Sequence, residues 1–235
     1  MRKWLPAALI AITFVLSVLM LPRLPAVATL DLGPLLPFEV EGESGPRAWL
    51  AFGLPTVALA LWLFFLWAAS PSGLARLSGM FRGWAPADTL EPHAIARFRS
   101  TYDVVVALVI GFVLAFHLTL LGLAADGPPS IARGFLLLVG LGLAAMGNVM
   151  PRLRPNPVMG LRTRATLNDP VLWTRMHRVF GGLLVASGVL VIVLALVAVR
   201  YALLGLLATL LLSCLIAFAV LVHPPHGTGR AGVVL

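Results

Sequence analysis

One cysteine, Cys214, stands in 235 residues, so no internal disulfide can form, and neither a CxxC pair nor a Cys/His cluster with metal-ligand spacing exists. Charge is scarce as well. Only 11 % of the residues are charged, against roughly 25 % in a soluble globular domain, so water is not the solvent for most of this surface. Acidic residues number 9, and their distribution traces no proton path through the apolar segments. No nucleophile, acid/base pair or cofactor motif has a recognisable spacing, and the sequence predicts neither an enzyme nor a cofactor.

What the chain does have is apolar length. Sixty per cent of it is hydrophobic, concentrated in runs over about 4–22, 48–69, 102–124, 133–150, 179–199 and 201–222. Each is near the span needed to cross about 30 Å of hydrocarbon as helix. The runs are continuously apolar and lack the alternation of barrel strands, so the expected fold is all-α, a polytopic bundle of about six transmembrane helices. The positive Met1–Lys3 start followed by Leu5–Leu21 has the outline of a signal peptide, but the run ends at Pro22, Arg23 and Pro25 without a small-residue cleavage site. A retained first helix is the expectation.

The net charge of +8 falls in short stretches between apolar runs, which is the layout of orientation determinants and not of a nucleic-acid groove. With the N-terminus inside, Arg2, Lys3, Arg76, Arg82, Arg97, Arg99, Arg152, Arg154, Arg162, Arg164, Arg175, Arg178 and Arg230 are internal. Arg23, Arg47, Arg133 and Arg200 are external. That imbalance predicts both termini in the cytoplasm. Arg200 separates the last two runs almost without linker, so helices five and six are expected to form a tight hairpin with Arg200 and Tyr201 at the interface.

Three connections carry information. The external loop 23–47 holds Asp31, Glu39, Glu41 and Glu43 and reads either as a solvated connection or as a receptor face. The internal stretch 70–101, punctuated by Pro71, Gly73, Gly79, Gly83, Pro86 and Pro92, permits short interfacial helices but no folded domain. Within it, Phe81 and Trp84 beside arginines suit anionic headgroups, although simple positive-inside topology accounts for them equally. In the internal loop 151–178, Pro151, Pro155 and Pro157 oppose helix, and a new helix is expected near Pro170 with Asp169 or Asn168 as cap. Trp173 and His177, four apart, then share one face of a short interfacial entry that runs through Gly181 and Gly182 into span five.

Within the spans, Gly140 and Ala144, and Gly182 and Ala186, have the four-residue spacing that permits close helix approach. His117 is the ionisable group deep in a span, either an alternative intramembrane site or a neutral ring bonded to a neighbouring helix. Asp103 can pair with Arg99 one turn earlier. His223 and His226 lack a third ligand, so no metal site is expected.

Residues 147–182 read GNVMPRLRPNPVMGLRTRATLNDPVLWTRMHRVFGG, and here the chain resembles the SdpI family of bacterial membrane proteins. Gly147, Asn148, Pro151, Pro155, Asn156, Gly160, Arg162, Thr163, Thr166, Leu167, Trp173, His177, Arg178 and Gly181 match the family pattern in order. Arg164 and Ala165 stand where the family commonly has Pro-Trp, and Met176 where threonine is usual. The first third resembles the two-span domain of unknown function that often precedes the SdpI region, without its usual loop histidine.

The resemblance implies immunity to a secreted peptide toxin outside the cell and, in the toxin-bound form, sequestration of a cytoplasmic repressor. It implies a division into a two-span region, 1–100, and an SdpI-like four-span region, 101–235, in a bacterial cytoplasmic membrane. The candidate functional residues are Asn148, Pro151, Asn156, Gly160, Arg162, Thr163, Thr166, Trp173, His177 and Arg178. The competing structural account has Arg162 and Arg178 gripping lipid phosphates or helix-end carbonyls, Asn156 closing a turn and Trp173 anchored at the interface. A small-solute transporter working through His117 and a structural membrane scaffold are the alternative functions. No direct nucleic-acid partner is expected, and the oligomeric state is left open.

Overall fold

Apolar runs of this length hide their backbone from lipid only by bonding it internally, and helix does so within one segment. In a computed structural model, which describes residues 4–29, 44–83, 95–125, 127–128 and 130–222, six helices are long and apolar enough to cross a membrane. They are α1 (Leu5–Met20), α2 (Arg47–Ala68), α4 (Arg99–Ala124), α5 (Ser130–Val149), α7 (Pro170–Val197) and α8 (Val199–Val222). Two shorter helices, α3 (Pro71–Met80) and α6 (Arg164–Asn168), lie in the connections. Strands β1 (Val27–Thr29) and β2 (Ser44–Pro46) pair antiparallel, Val27 opposite Pro46, and pin the base of the α1–α2 connection. The acidic residues of that connection, together with Trp84, Pro86, Pro92, His223 and His226, lie outside the described residues.

The spans pack as two three-helix groups joined along one seam. In the first, α1, α2 and α4 contact one another; in the second, α5, α7 and α8 do; α4 against α5 joins them. Polar contacts mark the first group. The Tyr102 hydroxyl donates to the Phe65 carbonyl at 2.6 Å. Ser17 on α1 and His117 on α4 are fully buried and hydrogen-bonded, Oγ to Nε2, at 2.8 Å. His117 is thus a helix-to-helix contact, as one of its two sequence readings has it, and its Nδ1 lacks a partner among the described residues. Phe135 on α5 packs against Phe116 and Phe112 of α4, with ring centroids 5.3 Å and 6.0 Å apart.

The second group is held by close backbone approach of α5 and α7. A Cβ on Gly140 would stand 2.6 Å from the Ile192 side chain and 2.7 Å from the Gly188 carbonyl oxygen. One on Gly181 would stand 2.6 Å from the Gly147 carbonyl oxygen. The expected small-residue stripe on span four is therefore present at Gly140 and Ala144, but the one on span five is displaced. Gly182 and Ala186 are exposed, and Gly181 and Gly188, seven apart, face α5 in their place.

Two helix boundaries fall where the sequence predicts them. Span five begins at Pro170, nine residues before the apolar run, because Asp169 caps it: its carboxylate accepts from the Val171 and Leu172 N–H groups at 2.8 and 3.1 Å. At 28 residues, α7 is about 42 Å long, so its first turns stand beyond a hydrocarbon layer of about 30 Å or tilt within it. The interfacial entry and the span are one unbroken helix. Between α7 and α8 only Ala198 intervenes, its N–H bonded to Leu194 and its carbonyl to the N–H of Tyr201, which gives the tight hairpin foreseen from Arg200. Arg99 and Asp103 pair at 3.1 Å as their spacing predicts.

Candidate functional site

The connection from α5 to α7 is where the sequence is most distinctive, and it is folded throughout. A 3-10 turn, Met150–Arg152, ends the span, and Leu153 then extends the chain. Pro155 and Pro157 leave the backbone without donors at two positions, so a side chain closes the turn. That side chain is Asn156. Its Oδ1 accepts from the Val158 and Met159 N–H groups, both at 2.8 Å, and its Nδ2 donates to the carbonyls of Arg154 at 2.7 Å and Met159 at 3.1 Å. Wholly buried, the amide uses both donors and accepts twice. Asn156→Ala leaves those backbone groups without a partner and is expected to cost roughly 2–4 kcal/mol of stability. A thermal unfolding curve in detergent indistinguishable from wild type would mean that the turn does not depend on this amide.

Gly160 follows with φ +104°, a left-handed backbone suited to glycine. It turns the chain so that the Leu161 N–H donates to His177 Nε2 at 3.1 Å. The other ring nitrogen, Nδ1, lies 2.8 Å from the Trp173 carbonyl. A neutral imidazole with its proton on Nδ1 satisfies both bonds. Trp173 stacks on His177 with centroids 4.0 Å apart, and its indole N–H donates to the Leu153 carbonyl at 2.8 Å. Both rings are fully buried, so Trp173 does not anchor at a lipid interface. It closes the loop onto α7 because the extended Leu153 carbonyl requires a donor.

The second half of the loop is stitched by threonines. Thr163 Oγ1 accepts from the Thr166 N–H at 3.1 Å, and Thr166 Oγ1 accepts from the Thr163 N–H at 2.9 Å, a capping box that starts α6. Thr166 also donates to the Leu161 carbonyl at 2.8 Å. This early helix was not anticipated; a threonine stands where the usual capping pattern has Glu or Gln. Arg162 donates to the Pro157 carbonyl, and its guanidinium lies over the Phe81 ring, 5.3 Å from the centroid. Half-buried there, it is pushed below its ordinary pKa by desolvation. Phe81 follows α3, which packs with Leu74 and Leu77 into the core that also holds Leu153, Val158, Met159, Leu167 and Trp173. No local pattern links Phe81 to Arg162, and the sequence reading missed the pair.

The structure thus brings together Asn156, Gly160, Arg162, Thr163, Thr166, Trp173 and His177, and leaves Asn148, Pro151 and Arg178 exposed outside the cluster. The loop's hydroxyls and both His177 nitrogens are held in bonds to the loop and its own helix, so the arrangement presents no nucleophile beside a free base. What it does is hold a proline-rich connection rigid at one end of the bundle.

These features define a polytopic helical membrane protein in which the loop before the last two spans is a folded, internally bonded plug. Residues 152–223, less than half of the chain, match the model of the SdpI/YfhL protein family, and it is this region that is similar to that family. The match starts after Asn148 and Pro151 and excludes the first four spans. No curated protein and no solved structure matches the chain.

Proposed function

We propose that this chain is a non-enzymatic immunity protein of the SdpI type, set in a bacterial cytoplasmic membrane and protecting its cell against a secreted membrane-active peptide. The observation that carries this reading is that the family match falls on a segment built as a rigid, self-bonded plug and not as a reaction centre. In this reading both termini are cytoplasmic, as the arginine imbalance favours, and the toxin meets the external connections. The division near residue 100 separates an N-terminal two-span region from the SdpI-like four spans.

A peptide bound outside changes the inside only if it binds one helix arrangement more tightly than another. The seam between α4 and α5 joins the two helix groups and is the natural element for such a shift. On the cytoplasmic side, exposed Asn148, Pro151 and Arg178 would be the surface offered to a repressor, with Arg162 fixing the loop that displays it.

Deleting the gene is expected to sensitise cells to a self-produced or neighbouring membrane-active peptide. Complementation with wild type restores survival, and Arg162→Ala, at normal protein level, does not. Survival unchanged by deletion across such peptides would remove the immunity reading.

A further inference from the structure

Beside the plug, a cleft of about 500 Å³ opens between the start of α4, the 151–155 stretch and the start of α7. Its lining includes the side chains of Arg152 and Arg154 and the hydroxyl-bearing Ser100 and Thr101 over an apolar floor of Phe98 and Leu153. Among the described residues no carboxylate lines it. The two carboxylates among the described residues are committed elsewhere, Asp103 to Arg99 and Asp169 to the N–H groups that begin α7. Arg152 and Arg154 are exposed and form no ion pair among the described residues.

The level of the cleft is fixed by the spans. Arg99 begins one, Arg152 ends the next and Pro170 begins a third, so the cleft sits at one end of three membrane-crossing segments, where headgroups lie. Guanidinium groups match phosphate oxygens in geometry as well as charge, hydroxyls add donors, and the apolar floor suits the carbons next to a phosphodiester. We propose that this cleft binds the phosphate headgroup of an anionic phospholipid, with Arg152 and Arg154 as its cationic partners. The site is separate from the immunity reading and stands or falls without it.

The test uses the full-length protein in neutral detergent, titrated with phosphatidylglycerol or phosphatidylcholine and read by native mass spectrometry. Phosphatidylglycerol should be retained roughly tenfold more tightly or better, given that each interfacial basic residue contributes on the order of a few-fold in affinity. Arg152→Gln with Arg154→Gln should abolish the preference, and Arg152→Lys with Arg154→Lys should keep most of it. The exposed pair Arg175→Gln with Arg178→Gln, outside the lining, should leave it intact. A preference that survives the first pair overturns the site. Equal loss in the α7 pair overturns it in favour of diffuse surface charge. Displacement of the lipid by inorganic phosphate at equal concentration overturns the lipid as the source of the phosphate.

Discussion

Gly160→Ala lowers the stability of the folded protein by roughly 2–5 kcal/mol, the sum of left-handed backbone strain and a lost buried hydrogen bond. The backbone sits at φ +104°, and the new Cβ would be driven into His177 Nε2, with the Trp173 ring 3.1 Å away. To make room the imidazole must leave the Leu161 N–H, which then has no acceptor. The two contributions separate in a double-mutant cycle. In a His177→Ala background the clash with the imidazole and the loss of its hydrogen bond no longer count, and Gly160→Ala should cost chiefly the backbone strain, about 1–3 kcal/mol, with only the tight Trp173 contact left to relax. Thermal unfolding in detergent measures both arms. Equal cost in the two backgrounds would show that the histidine is not what excludes a side chain at Gly160.

A still larger effect is expected at Gly188→Leu, with loss of more than about 4 kcal/mol or of the folded protein altogether. A Cβ there meets backbone of the facing helix: the Ala144 nitrogen stands at 2.8 Å, with the Ala144 Cβ at 3.3 Å. Backbone cannot swing aside as a side chain does, so α5 and α7 must move apart and give up the packing that joins them. Gly182→Leu supplies the control, since a Cβ there has nothing within 4 Å. It makes the same change in apolarity on the same helix. Size-exclusion profiles and melting curves should show Gly182→Leu close to wild type and Gly188→Leu misfolded. If both behave alike, insertion and not packing sets the outcome.

These two glycines also mark how far the fold is legible in the sequence. Apolar length reports where helix must cross hydrocarbon, and all six spans follow from it. Helix ends are set by other chemistry: α7 starts at Pro170 because a carboxylate cap and a proline start it, although the residues that follow are too polar to count as span. Which face of a span meets its neighbour is not carried by the spacing of small residues on one helix alone. The four-residue repeat at Gly182 and Ala186 points at lipid, and the true seam is known only once α5 lies against α7.

In the loop, local geometry was readable and distant geometry was not. An asparagine among prolines signals a side-chain-closed turn, and Trp173 with His177 at one-turn spacing signals a shared face. Their partners, the Leu153 carbonyl and the Leu161 N–H, are 20 and 16 residues away and depend on the loop folding back. The interface role considered for Trp173 failed for that reason.

The single-residue turn at Ala198 has a consequence for how the protein is made. With no slack between them, α7 and α8 cannot enter the bilayer one after the other through separate routes. In the orientation that the arginine imbalance favours, they would insert together as a helical hairpin with Arg200 carried across at its tip. One guanidinium at mid-membrane costs about 3 kcal/mol on insertion scales, which two long aliphatic helices readily offset. Biogenesis of the family-matched region is thereby tied to a paired insertion event.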